Sequence, residues 1–362
     1  MSNFLRIIAS YLYGAGVWFR NFLFDTGIIK SERFEIPIIC VGNITVGGTG
    51  KTPTTEMIVD SLHDEYQVAV LSRGYGRRTK GYREVELSES YRDTGDEPLQ
   101  IKMKFPDAVV VVCEDRIKGI RRIQSEHPDV SVIVMDDGFQ HRYVTPLINV
   151  IIIDSTRPVD KDHMLPYGEL RDLRSSLSRA NYFIVTKCSD NMSRLDRGLM
   201  SKKLVRAAYQ KIYFMRHESL PLCRVFSIDS ENEESFPEPS RKADEVIAMS
   251  GIGNPAVFVE QMRNRYTLVD TLTFDDHHVY RIGDLKMLAA KLKEHPEASI
   301  VTTEKDAVKL FNSTKIPAAL RNRIFYQPVR LAYLDSEDSD LMKDFLKNIH
   351  KDVNDFFRLQ RN

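Results

Sequence analysis

Short apolar runs recur along the first half of the chain with helix-length segments between them. Ile38–Val41, Gln67–Ser72, Ala108–Val112, Ser131–Met135, Asn149–Asp154 and Tyr182–Thr186 consist mainly of Val, Ile, Leu and other apolar residues. A strand with one face in water alternates polar and apolar positions, whereas a continuous apolar run reads as a strand covered on both faces. The series therefore predicts a parallel sheet with helices on either side. The stretch Asp229 to Lys242 is rich in Asp, Glu, Ser and Pro, carries no apolar period and reads as a loop or linker. Beyond it the alternation resumes, with strands expected at Glu245–Met249, Leu268–Leu272 and Ser299–Thr303 and helices at Pro255–Arg265 and Ile282–Glu294. An amphipathic helix over Leu341–Leu359 closes the chain. The pattern gives an amino-terminal helix (1–30), a first α/β domain (31–228), a linker (229–244), a second, smaller α/β domain (245–335) and a carboxyl-terminal helix (336–362).

The amino-terminal stretch has thirteen uncharged residues from Ile7 to Phe19, bracketed by Arg6 and Arg20. That is too short to cross a bilayer, and no small-residue cleavage site follows it. Its Trp, Tyr and Phe content suits an amphipathic helix lying at headgroup depth on a membrane. A helix packed on the protein's own core has the same composition, and different faces can serve both purposes. Lys plus Arg equals Asp plus Glu, 51 each among 362 residues, so no global field recruits nucleic acid. Neither nucleic acid nor a protein partner is expected. Cys40, Cys113, Cys188 and Cys223 are single, without C-x-x-C spacing, which suits a reducing compartment and no zinc site.

Candidate chemistry gathers where the predicted strands end. Ile36 to Thr55 reads IPIICVGNITVGGTGKTPTT, a buried strand followed by a glycine-rich loop and a helix-compatible segment. Gly47, Gly48 and Gly50 let successive backbone N–H groups, with those of Thr45 and Thr49, turn toward one anion. Lys51 adds a point charge for the outer phosphates, and Thr52 offers a hydroxyl to Mg2+. The spacing departs from the Walker A pattern, with Thr45 where the first glycine is usual. Asp136 and Asp137 at the tip of the strand Ser131–Met135 form the matching acidic pair for Mg2+. Together they indicate a P-loop NTPase-like fold with ATP and Mg2+ bound at the carboxyl edge of the sheet.

Other clusters admit two explanations. SRGYGRRTKGYR (72–83) is an anion-binding lobe or a solvated basic loop. Asp96 and Glu97 open a helix-compatible segment as a helix cap or as a base. Arg116 and Arg171 are each placed to brace a transferred phosphoryl group, although LPYGELRDLR also reads as a helix-surface charge cluster. FDDHH (274–278) sets two imidazoles beside two carboxylates, and TTEKD (302–306) reads as a helix cap.

Taken in order, GNITVGGTGKTP, SRGYGRR, GDEP, DDGFQHR, LPYGELRD, FDDHHVY and TTEKDAVK resemble the tetraacyldisaccharide 4'-kinase family of lipid A biosynthesis, over roughly residues 4 to 310. The resemblance implies Mg2+-ATP-dependent phosphorylation of the 4'-hydroxyl of an acylated glucosamine disaccharide 1-phosphate, giving lipid IVA. The site would be peripheral, at the cytoplasmic face of the bacterial inner membrane, with the second domain closing over the nucleotide. It implies Asp96 of GDEP as base and His277 of FDDH as its partner; the physics of phosphoryl transfer adds Lys51 on the outer phosphates and Arg116 or Arg171 against charge on the equatorial oxygens. LRDL stands where many relatives have LREP, which shortens the carboxylate at Asp172. The competing reading is a membrane-associated P-loop ATPase that switches partners, which needs neither Asp96 nor His277.

Overall fold

The computed structural model describes residues 3–226, 238–276, 278–311, 316–334 and 339–361. The predicted linker lies largely outside the described residues. In chain order the first half contains α1 (Asn3–Asp25), β1 (Ile38–Gly42), α2 (Lys51–Leu62), β2 (Val68–Ser72), β3 (Arg83–Glu84), α3 (Tyr91–Thr94), α4 (Asp96–Lys104), β4 (Val109–Val112), α5 (Arg116–Glu126), β5 (Val132–Asp136), β6 (Ile148–Asp154) and β7 (Tyr182–Thr186). Then come α6 (Arg194–Leu204), β8 (Lys211–Ser219) and β9 (Cys223–Arg224). The remainder is β10 (Glu245–Ser250), α7 (Pro255–Arg265), β11 (Thr267–Thr273), α8 (Ile282–Glu294), β12 (Ser299–Thr303), α9 (Glu304–Phe311), α10 (Ala318–Arg321), β13 (Ile324–Gln327), β14 (Val329–Tyr333) and α11 (Ser339–Arg361).

The first sheet runs β14-β8-β7-β6-β1-β5-β2-β4-β3, parallel from β8 to β4 with an antiparallel strand on each edge. Alternate residues of β1 feed opposite cores. Ile39 and Val41 join a cluster completed by Ile58 and Val59 of α2 and Phe345 and Ile349 of α11. Ile38 and Cys40 join one with Ile120 and Ile123 of α5 and Phe139. Both faces are thus sealed, which is why these strands show no polar alternation. The second sheet, β11-β10-β12-β13-β9, is parallel except for β9.

Two strands sit in a different sheet from the one their position in the chain suggested. β9, before the linker, pairs with β13 in the second sheet, and β14, after it, pairs with β8 of the first. Pro328, without an N–H, separates β13 from β14 and lets consecutive strands part company. The return of β14 covers the outer edge of β8, which would otherwise present unpaired backbone. α11 follows it onto the first unit, where Phe345 packs against Tyr182 and Tyr213.

The two faces of α1 differ. Ser10, Val17, Asn21 and Phe24 are buried, while Phe4, Leu5, Ile8, Tyr11, Leu12, Trp18, Phe19 and Phe22 are exposed on the opposite side. Among the described residues no helix is long and apolar enough to cross a membrane.

Candidate active site

The loop after β1 folds around two glycines in the left-handed region, Gly47 at φ 87° and Gly50 at φ 94°. A Cβ at Gly50 would stand 3.2 Å from Thr186 Cγ2 and 3.3 Å from His217 Nε2, so the position also demands glycine for space. Thr45, at the departure from the Walker spacing, has no positive φ and forms a bridge with Leu170, so no glycine is required there. Asn43 Nδ2 donates to Thr49 Oγ1 at 2.7 Å, turning the Thr49 side chain inward as a brace within the loop. Thr186 Oγ1 donates to Thr49 O at 2.6 Å, and Lys187 Nζ donates to Gly48 O at 2.6 Å and pairs with Asp154 at 2.7 Å. α2 begins at Lys51, so its positive end faces the loop and Thr52 lies on its first turn.

The acids at the tip of β5 differ in environment. Asp136 is buried and accepts from Thr55 Oγ1 at 3.1 Å and Ser72 Oγ at 3.3 Å. Burial, with Asp137 alongside, pushes its carboxyl above the ordinary range. Asp137 adopts φ 49°, a left-handed backbone that turns its side chain out of the strand. Both terminal nitrogens of Arg171 donate to its carboxylate, and Lys51 Nζ lies 3.8 Å away. Burial raises Asp137, but these cations outweigh it and hold the carboxyl down at about 2. Arg116 lies beneath, 2% exposed, donating to the carbonyls of Cys113 and Asp136.

Asp96 and Glu97 open α4 on the same rim. Glu97 N–H donates to Asp96 Oδ1 at 3.0 Å. Burial and the charge of Asp136 push Glu97 up to about 7, opposed by Lys305 and, further down, Lys51. The glycine cradle, Lys51, Thr52, Asp136, Asp137, Arg171, Arg116 and the Asp96–Glu97 pair thus share one carboxyl-edge site. Thr52, Asp136 and Asp137 offer oxygen only, the donor set of a hard divalent cation.

His277 lies outside the described residues. Its neighbour His278 stacks on Phe274 at 4.3 Å and pairs with Asp284 of α8 at 3.0 Å, a structural use. Leu165–Arg174 is not a helix surface. Asp172 is fully buried, accepting from Asn21 Nδ2 at 2.9 Å, Ser176 Oγ at 2.8 Å and Leu173 N–H at 2.8 Å, and pairing with Arg179 at 3.1 Å. It anchors α1 through Asn21. The basic lobe is largely neutralised by Arg77–Glu114, Arg78–Asp93 and Arg83–Glu89 pairs. Thr303 Oγ1 accepts from Asp306 N–H at 3.2 Å, the cap TTEKD suggested.

Sequence reasoning passed over Asn43, Ser72, Thr55, Asp154, Lys187 and Lys305. Ser72, Asp154 and Lys187 end or follow apolar strands, the signal that singled out Asp136. Asn43 and Thr55 flank the glycine loop.

A family model described as tetraacyldisaccharide-1-P 4'-kinase matches residues 2–350. A tetraacyldisaccharide 4'-kinase of Phocaeicola vulgatus is 39% identical over 332 residues, 91% of this chain and 90% of the relative. One of Parabacteroides distasonis is 38% identical, covering 94% and 93%. Among solved structures, LpxK from Aquifex aeolicus in complex with ATP superposes with a TM-score of 0.71 at 27% identity, covering 96% of this chain and 98% of that one.

Proposed function

The chain belongs to the tetraacyldisaccharide-1-P 4'-kinase family, and from that premise we propose how its own residues perform the transfer. It is a phosphotransferase of lipid A biosynthesis, moving the γ-phosphate of ATP to the 4'-hydroxyl of tetraacyldisaccharide 1-phosphate. The observation carrying the assignment of roles is the shared rim, where Glu97, whose N–H donates to Asp96, lies within electrostatic reach of Lys51 and Asp136.

Phosphoryl transfer asks for in-line positioning and for neutralising charge on the equatorial oxygens. The N–H groups of the glycine loop and the end of α2 bind the phosphates, and Lys51 turns from Asp137 to the β- and γ-oxygens. Arg171, already beside Asp137, supplies a second charge with planar geometry. Arg116 acts from below, orienting the tip of β5. Asp96 accepts the proton of the acceptor hydroxyl, and His277 orients that hydroxyl from the second unit. Thr52, Asp136 and Asp137 would hold Mg2+, which when bound offsets charge between the outer phosphates. The exposed apolar face of α1 lies on the cytoplasmic membrane surface, where an acylated acceptor resides, making the enzyme peripheral.

The test is transfer of labelled γ-phosphate to a detergent-dispersed glucosamine disaccharide 1-phosphate, with Asp96→Ala alongside. Labelled lipid from the natural chain and a loss of orders of magnitude in the variant support the reading. Equal rates remove Asp96 as base, and label released only as inorganic phosphate supports the switch ATPase.

A further inference from the structure

The seam between the two units is held by α4 of the first and α9 of the second, and two lysines cross it in opposite directions. Lys104 at the end of α4 pairs with Glu56 of α2 at 2.7 Å and with Glu304 of α9 at 3.7 Å. Lys305 of α9 reaches back to Asp96 and Glu97 at the start of α4, 3.8 Å from each, and to Asp276 at 3.5 Å. Lys104 and Glu304 already give the seam an ion pair, so Lys305 is not needed merely to close it.

Its location argues further. Lys305 sits in the first turn of α9, at the helix end whose dipole disfavours a cation. Glu304 and Asp306 on either side follow the usual preference, so the lysine is there for its partners rather than for the helix. Its side chain is 21% exposed, which weakens solvent screening of those three carboxylates. One partner is the base assigned above, and another immediately precedes His277 in the chain.

We propose that Lys305 is a positioning residue for phosphoryl transfer, tethering the Asp96 carboxylate to the Asp276 segment so that groups from both units converge on the acceptor hydroxyl. This rests on the assignment of Asp96 as base. Lys305 acts through these carboxylates rather than on nucleotide or acceptor itself. It fixes the rotamer of Asp96 and holds Asp276 beside it, and a displacement of about 1 Å at such a site is enough to lower turnover roughly a hundredfold.

The experiment compares kcat and the KM for ATP in the full-length natural chain, Lys305→Met, Lys305→Arg, Asp96→Asn and the double variant Lys305→Met/Asp96→Asn. The expected result is a kcat about tenfold or more lower in Lys305→Met with the KM for ATP little changed, and substantial recovery in Lys305→Arg. Because Lys305 acts through Asp96, the double variant should be no slower than Asp96→Asn alone. A natural kcat in Lys305→Met overturns the proposal. So does a double variant slower than Asp96→Asn by the whole Lys305→Met factor. Should Lys305→Met fail to fold, Lys305→Gln carries the same comparison. A natural kcat in Asp96→Asn would instead remove the base assignment, while an Asp96→Asn that is strongly slowed but measurable, with independent effects, removes only Lys305.

Discussion

Replacing Leu12, Trp18 and Phe19 together by Ser tests whether the outward face of α1 is a membrane surface. These side chains are 71%, 57% and 55% exposed and lie opposite the buried Ser10, Val17 and Asn21, so the substitutions leave the packed face untouched. Large apolar side chains bury roughly 150–250 Å² when fully covered, so these three together offer on the order of 300 Å² to a bilayer. At about 25 cal/mol per Å², and with about half of that area sunk at headgroup depth, the loss is about 4 kcal/mol. A factor of ten corresponds to about 1.4 kcal/mol, so partitioning should fall by roughly two to three powers of ten. The assay is co-sedimentation of the full-length chain with phosphatidylethanolamine–phosphatidylglycerol vesicles over a range of lipid concentrations. The thermal midpoint should move little, because exposed substitutions far from caps and cores change stability by about 0.5 kcal/mol or less. Partitioning within threefold of the natural chain, with the fold intact, would refute the membrane reading of α1.

Lys51→Ala should lower kcat by roughly a hundredfold or more while leaving circular dichroism unchanged, since it removes charge aimed at the transferred phosphate. Unchanged turnover would take Lys51 out of the mechanism. Asp172→Ala leaves the half-buried Arg179 without its carboxylate and the buried Asn21 without its acceptor, and should cost about 2–3 kcal/mol in urea unfolding. A loss below about 1 kcal/mol would show the anchor is unimportant. Burial, helped by Lys187, lowers the His217 imidazole to about 4 from an ordinary 6.5. Above pH 6.5 neither state is protonated there. As pH falls from 6.5 toward 4, the unfolded chain gains a proton that the folded one refuses, so stability declines and then levels off. His217→Gln should lose less in thermal midpoint between pH 7 and 5 than the natural chain does, and equal losses would rule out His217 as a source.

The interior strands were legible because both of their faces are covered, which leaves a contiguous apolar signal in Ile38–Val41 or Tyr182–Thr186. β8 was not, since its buried Tyr213 and Met215 alternate with more exposed and charged residues near the sheet's edge. Its partner β14 lies more than a hundred residues away, with Arg330 pairing to Glu218 across a separation of 112. No local pattern announces such a pairing. The same distinction divides the site. The glycine loop and the Asp136–Asp137 tip are contiguous stretches whose chemistry is written in a few adjacent residues. Asp172 and Lys305 take their meaning from Asn21 and Asp96, brought close only by the fold. An aspartate in LRDL or a lysine in TTEKD looks like any solvated charge until that packing is known.

The outward face of α1 is a better target than the helix as a whole, and the reason lies in the segment beneath it. Residues 163–176 receive α1 through Arg6 to Pro166 O at 2.9 Å, Ser10 to Met164 O at 2.6 Å, Tyr13 to Arg171 O at 3.2 Å and Asn21 to Asp172. The same segment extends the Arg171 guanidinium to Asp137 in the phosphate site. One run of backbone therefore sets both the helix proposed to meet the membrane and the arginine proposed to meet the transferred phosphate. Deleting α1 would strip hydrogen bonds from the Arg171 carbonyl and the Asp172 side chain while also removing the proposed lipid contact. Lost activity in such a truncation has two physical causes that it cannot separate. Serine at Leu12, Trp18 and Phe19 disturbs only the outward face, so a loss confined to vesicle-borne acceptor, with detergent-dispersed acceptor still phosphorylated, isolates the membrane contribution.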